Sequence, residues 1–271
     1  MKIGFIGTGN MGKILIQALI ESETVNANDI IVTNRTIEKA EQVKKTYPEI
    51  TVLTETTEVA KRSNIVFVCV KPIQFYDVLT DIRTELEEDD ILVSITSPIL
   101  TSELERVVSC QVARVIPSIT NRSLSGCSLV TFGKRIDEQR LLNLLKGFSH
   151  PVLIDEEHTR IASDIVSCGP AFFSYLIQRF VESAARQTTI SKQQAEQLAS
   201  EMFIGFGKLL KKKIYTLETL QAKVSVKGGV TGVGIDVLEK EVGDLFDQLI
   251  LATHQKYDED RSIIKQQFSA E

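Results

Sequence analysis

Cysteine is scarce and scattered. Cys69, Cys110, Cys127 and Cys168 show no C-x-x-C spacing and have no histidine nearby, so no metal site is expected. Basic clusters are rarer still: Lys211-Lys212-Lys213 is the only run, and the formal net charge is −5. A nucleic-acid footprint, usually a basic stripe, is therefore not expected. No apolar stretch approaches the roughly 18 residues that a membrane span needs. The N-terminus reads as a strand start without a signal-peptide pattern. These absences predict a soluble cytoplasmic protein with no membrane or nucleic-acid partner. His150, His158 and His254 match no catalytic spacing and are read as surface or structural groups.

What is present begins at once. Lys2 to Ile6 reads as a short buried strand, followed by Gly7-Thr8-Gly9-Asn10-Met11-Gly12, a G-x-G-x-x-G turn. Ile14, Leu15, Ala18 and Leu19 then recur at helical spacing. Strand, glycine turn and helix in this order are what a dinucleotide site needs, the alternative being a structural glycine turn in some other α/β protein. Gly7 permits the tight turn, Gly9 admits the pyrophosphate, and Gly12 lets helix and strand pack closely. The helix N-terminus presents free N–H groups and a positive dipole end to the phosphates.

A second parallel strand, Asp29 to Thr33, ends in Asn34-Arg35-Thr36. An NAD-binding unit expects Asp or Glu here, against the ribose hydroxyls. Arg35 instead offers a guanidinium suited to the 2′-phosphate of NADP, flanked by neutral polar groups. The alternative is an Arg35 facing solvent and a Thr36 that only caps the next helix. The position favours NADP(H) over NAD(H).

Strands are further predicted at residues 51–53, 65–70, 91–95, 112–116, 127–132 and 152–154, with helices between most of them. The apolar run from Ile65 ends at Val70-Lys71-Pro72, on the edge where open α/β sheets bind ligands. The alternation predicts a doubly wound, mostly parallel sheet, a Rossmann domain over residues 1–157. From residue 158 to 271 helical patterns dominate. Helices are expected from about Pro170 to Thr188, after Ser191 to about Lys213, after Thr216, and to about Gln267. Val226-Lys227-Gly228-Gly229-Val230-Thr231-Gly232 breaks them. The broad apolar stripes of this half predict an all-α dimerisation domain.

The ordered set MKIGFIGTGNMG, NRT, VKP, GPAFFS and KGGVTG resembles the pyrroline-5-carboxylate reductase family over nearly the whole chain. The resemblance implies a Rossmann domain, an intertwined helical homodimer, larger assemblies of dimers in some members, and NAD(P)H-dependent reduction of a cyclic imine to proline. It implies that Gly7, Thr8, Gly9, Asn10, Met11 and Gly12 hold the pyrophosphate. Asn34, Arg35 and Thr36 would meet the 2′-phosphate end, and Val70, Lys71 and Pro72 would lie along the cofactor. It also assigns the substrate carboxylate to the loop of Gly228, Gly229, Val230 and Thr231, with Thr231 able to orient a water or donate to the imine nitrogen; the alternative for Gly228-Gly229 is a helix C-cap and turn. Lys227, beside this loop and foreign to the family pattern, either recruits a different acid or an extra negative charge or points to solvent. Glu182 is a candidate acid favouring the iminium form, or an exposed helix residue.

Departures accompany the match. Met-Pro-Asn-Thr-Pro is replaced by Ile116-Pro117-Ser118-Ile119-Thr120, Ser-Gly-Ser-Gly-Pro by Val166-Ser167-Cys168-Gly169-Pro170, and Ser-Pro-Gly-Gly-Thr-Thr by Val226 to Thr231. Such a pattern, cofactor motifs kept and substrate motifs altered, resembles the late-competence, ComER-like branch. Three functions follow: an NADPH-dependent pyrroline-5-carboxylate reductase, a reductase with a shifted substrate, or an NADP(H)-binding regulatory paralogue.

Overall fold

The computed structural model describes residues 1–226 and 228–269. Two compact units result: Met1–Pro170 joined by the chain from Ala252 onward, and Ala171–Leu251. The sequence boundary between Glu157 and His158 lies within the first unit.

The first unit opens with β1 (Ile3–Ile6), α1 (Asn10–Glu21), β2 (Ile30–Thr33), α2 (Ile37–Thr46), β3 (Thr51–Val52), α3 (Thr56–Lys61), β4 (Ile65–Val68), α4 (Phe75–Ile82) and β5 (Ile91–Ser94). Then come α5 (Thr101–Val107), β6 (Gln111–Ile116), β7 (Cys127–Phe132), α6 (Glu138–Lys146), β8 (His150–Leu153) and α7 (Thr159–Ser163). The strands form one sheet in the order β3-β2-β1-β4-β5-β6-β7-β8. Among the described residues, only the β6–β7 pair is antiparallel. The reversal of strand order beside β1 is the switch point at which doubly wound sheets bind ligands.

Both faces of the sheet are covered, so its central strands are apolar throughout. Ile3, Phe5, Ile65 and Phe67 enter one core with α1 and α6. Phe5 and Phe67 stack there, with ring centroids 5.0 Å apart. Ile6, Val66 and Val68, on the alternate positions, enter the other core with Phe75, Leu79, Ile264 and Phe268. This two-residue alternation is the strand period itself. Val70 lies beyond the end of β4, and the edge strand β8 starts at His150, earlier than its apolar residues indicate.

A π-helical turn, Asp164–Cys168, links α7 to α8 (Gly169–Gln187). The second unit contains the greater part of α8, then α9 (Lys192–Lys211), α10 (Leu217–Val224), α11 (Val230–Val242) and the first residues of α12 (Leu245–Phe268). Ser191 caps α9 in a reciprocal box: its hydroxyl accepts from Gln194 N at 3.2 Å, and Ser191 N donates to Gln194 Oε1 at 3.4 Å. Thr216 caps α10 in the same way through Thr219. The helices of this unit leave Phe173, Phe180, Met202, Leu238 and other large apolar side chains exposed. Among the described residues, no helix is long and apolar enough to cross a membrane.

Candidate functional site

The glycine turn sits at the C-terminal edge of the sheet, and its geometry explains each glycine. Gly7 has φ +105°, and a Cβ there would lie 2.5 Å from Cys69 O. A Cβ on Gly12 would lie 2.3 Å from Gly7 O. Both positions are closed by the protein's own backbone. Gly9 differs: a Cβ there meets nothing within 4 Å, and the space is open for a ligand.

The start of α1 is likewise prepared for an anion. It has no side-chain cap and no acidic residue in its first turn, so its leading N–H groups lack protein partners. The Thr8 hydroxyl is buried without a hydrogen bond. An orphaned donor beside open helix N–H groups fits the pyrophosphate of a dinucleotide.

Asn34 holds this turn to β2. Its Oδ1 accepts from Thr8 N at 3.0 Å, and its Nδ2 donates to Thr36 O at 2.9 Å. Thr36 occupies the N-cap position of α2 but makes no cap bond, so its hydroxyl is not spent on the helix. Arg35 is exposed between them. Lys71 and Pro72 follow β4 at the same edge, with Pro72 opening a short 3-10 turn before α4.

The remaining predicted residues lie in the second unit. Gly228 has φ +77°, a left-handed conformation that suits glycine, and Gly229 N donates to Val226 O at 2.8 Å to close a turn. Gly229 then stands at the N-cap of α11 without a side-chain cap, so Val230 and Thr231 open that helix with free N–H groups. Thr231 also borders an apolar cleft with Phe206, Leu209 and Ile235. Lys227 lies outside the described residues. Glu182 accepts from Gln178 at 3.1 Å and pairs with Arg179 at 3.0 Å, both on its own helix.

The altered segments serve the scaffold. Ser118 is fully buried and donates to Val166 O at 2.8 Å, while Ser167 donates to Pro117 O at 2.8 Å. Asn121 Oδ1 accepts from Ser118 N at 2.8 Å. Asp155, Glu157 and His158 bring three exposed donor groups within 4.8 Å of one another, a common arrangement on acidic surfaces.

Cys69, Cys110 and Cys168 are held as thiols. Burial pushes Cys69 far up, Cys110 up to about 12, and Cys168 upward with Arg160 opposing. Iodoacetamide at pH 8 should therefore label Cys69 and Cys110 only after denaturation, as mass spectrometry of native and unfolded protein will read.

Strand order, switch point and open glycine cradle together define a Rossmann-type dinucleotide-binding oxidoreductase fold joined to a helical unit. Residues 2–98 match the family model "NADP oxidoreductase coenzyme F420-dependent", and residues 156–260 match "Pyrroline-5-carboxylate reductase dimerisation". ComE operon protein 4 of Bacillus subtilis is 52% identical over 99% of both chains. Pyrroline-5-carboxylate reductase 3 of the same organism is 28% identical over 95% of this chain and 96% of its own. In structure, the chain is similar to Plasmodium falciparum pyrroline carboxylate reductase with NADP bound, at a TM-score of 0.83 and 20% identity, covering 97% of this chain and 98% of that one. The chain belongs to the pyrroline-5-carboxylate reductase family, in the ComER-like branch.

Proposed function

We propose that the protein is an NADPH-dependent reductase that converts 1-pyrroline-5-carboxylate to L-proline. The observation that carries this reading is the cradle at Gly9: open space, an orphaned Thr8 hydroxyl and uncapped helix N–H groups at the switch point of the sheet.

The nicotinamide, when bound, supplies the hydride. The chain's residues bind and align. Asn10, Met11 and Gly12 hold the pyrophosphate by their N–H groups. Arg35 and the Thr36 hydroxyl take the 2′-phosphate. Val70, Lys71 and Pro72 line the path towards the nicotinamide. Gly228, Gly229 and the start of α11 offer N–H groups to the substrate carboxylate, with Lys227 beside them in sequence, and Thr231 orients the proton source at the imine nitrogen. Glu182 favours the iminium from its helix. The exposed apolar faces of the second unit support a homodimer, with assembly of dimers a further step. We place this activity in the cytoplasm.

A second reading is a regulatory paralogue that binds NADP(H) and turns over weakly. The structural use of Ser118 and Ser167, and the altered loop before Thr231, favour it. One experiment separates the two. NADPH and pyrroline-5-carboxylate are mixed with the protein and absorbance loss is followed. Turnover at micromolar to millimolar substrate supports the reductase. NADPH binding without turnover supports the paralogue, and no NADPH binding rejects both.

Cofactor choice has its own test. Arg35→Ala should weaken NADPH binding by about tenfold or more and leave NADH binding within about twofold. Titration calorimetry with both nucleotides reads this, and equal losses would remove Arg35 from the 2′-phosphate site.

A further inference from the structure

Three successive carbonyls after β5, those of Ser97, Pro98 and Ile99, are held by side chains. Ser97 O accepts from Arg114 Nη1 at 3.2 Å and from the Tyr257 hydroxyl at 3.3 Å. Pro98 O accepts from Arg261 Nη1 at 2.7 Å, and Ile99 O from Arg114 Nη1 at 3.0 Å. The donors stand on β6 and α12, between 15 and 163 positions away in the chain. A loop that only joins a strand to a helix is ordinarily more mobile than the elements it connects. This one is anchored at every residue, with guanidinium donors that make the stronger, charge-assisted bonds.

The place of the segment gives the anchoring a use. The glycine cradle follows β1, and Arg35 follows β2. In the order β3-β2-β1-β4-β5, a dinucleotide with its pyrophosphate at the first and its 2′-phosphate at the second extends its other half over β4 and then β5. Pro72 after β4, and Thr96, Ser97 and Pro98 after β5, line one cleft of about 550 Å³ within the first unit. Arg160 and Tyr257 line it as well, with the Arg160 guanidinium carbon 5.6 Å from the centroid of the Tyr257 ring. Burial raises the Tyr257 pKa, with Arg114, Arg261 and Arg160 opposing, so the hydroxyl keeps the proton that it donates.

Hydride transfer needs the nicotinamide in one attitude, because a small misplacement of reacting groups is costly. We propose that Tyr257 is a positioning residue for the nicotinamide end of the cofactor: with Arg114 and Arg261 it fixes Ser97 to Ile99 as a rigid wall against which the ring is aligned. The proposal rests on the dinucleotide reading of the glycine cradle, and it leaves the substrate carboxylate to the turn before α11.

Tyr257→Phe tests it. The variant keeps the ring beside Arg160 and loses only the hydroxyl. Arg261→Gln is less clean, because it strands the Glu103 carboxylate, which is 3% exposed. The first readout is the emission lifetime of bound NADPH, which lengthens when the reduced nicotinamide is immobilised. Tyr257→Phe should shorten that lifetime and keep NADPH affinity, by calorimetry, within about twofold. Arg35→Ala should do the reverse, weakening affinity and leaving the lifetime of the bound cofactor unchanged. The second readout is single-turnover reduction of pyrroline-5-carboxylate. In Tyr257→Phe its limiting rate should fall about fivefold, the equivalent of one net hydrogen bond, with half-saturating substrate within about twofold. An unchanged lifetime, or a loss of NADPH affinity as large as that of Arg35→Ala, overturns the proposal and leaves the cofactor reading intact. So does a rise in half-saturating substrate with the limiting rate unchanged. No NADPH binding by the unaltered protein overturns both. If the unaltered protein binds NADPH and reduces no pyrroline-5-carboxylate, the reductase reading fails, and the lifetime alone decides on Tyr257.

Discussion

Gly9→Ala should leave the melting temperature within about 2 °C of the parent and weaken NADPH by about thirtyfold or more. The two halves of this expectation have separate causes. Gly9 adopts φ −70°, ψ −169°, an extended conformation open to alanine, and its new Cβ would meet no atom of the protein. Any loss must therefore come from the ligand that approaches the backbone. Gly12→Ala is the contrast. Its Cβ would press on Gly7 O, a backbone atom with no flexible end to yield. It should cost about 2–4 kcal/mol of folding stability before any cofactor is added. Urea denaturation and NADPH calorimetry on both variants read the pair. Normal NADPH affinity in Gly9→Ala would dismiss the turn as the pyrophosphate site.

Arg114→Ala should be the most destabilising single change outside the turn, at about 3–5 kcal/mol. The side chain is fully buried in β6 and is the largest such group among the described residues. Its Nη1 donates to Ser97 O at 3.2 Å and Ile99 O at 3.0 Å, and its Nη2 to Thr131 at 3.3 Å and Thr159 at 2.5 Å. Truncation would remove all four bonds, leave a cavity between strand and loop, and keep only the Tyr257 hydroxyl on Ser97 O and the Thr131 hydroxyl's bond to Ile154 O. Burial lowers the Arg114 pKa, and Glu156, 3.9 Å away, opposes it. Glu156→Gln should nevertheless cost less than about 1 kcal/mol. Glu156 is partly exposed, and its close bonds are from Thr101 N and Oγ1 at 2.8 and 3.0 Å, which an amide oxygen can also accept. Urea midpoints of the two variants compare them directly. A small loss in Arg114→Ala would show that water replaces the guanidinium.

The strands and the glycine turn of the first unit were legible in the sequence because their signals are local. Gly7, Gly9 and Gly12 sit within one turn, and apolar runs such as Ile65 to Val68 announce strands covered on both faces. Ser191 and Thr216 announce their helices for the same reason: a cap bond spans three residues. What escaped depends on partners distant in the chain. Arg114 stands in Val112-Ala113-Arg114-Val115-Ile116, and nothing adjacent marks it as buried; its acceptors come from residues 97–99, 131 and 159. The antiparallel β6–β7 pair and the π-helical turn leave no periodic mark. α3 is too short, at six residues, to show an apolar stripe. The cleft around Arg160 needed Tyr257 to be placed beside Ser97, 160 positions earlier in the chain.

That return of α12 has a consequence for how the molecule is made. Ile264 and Phe268 complete one core of the sheet, while Arg261 binds Pro98 O at 2.7 Å and Glu103 at 2.8 Å. The first unit is therefore completed only once α12 has been made, after the whole of the second unit. On the ribosome it waits, with part of one apolar face uncovered, until the final helix emerges. A fragment ending at Pro170 lacks Ile264 and Phe268 and keeps that face uncovered permanently.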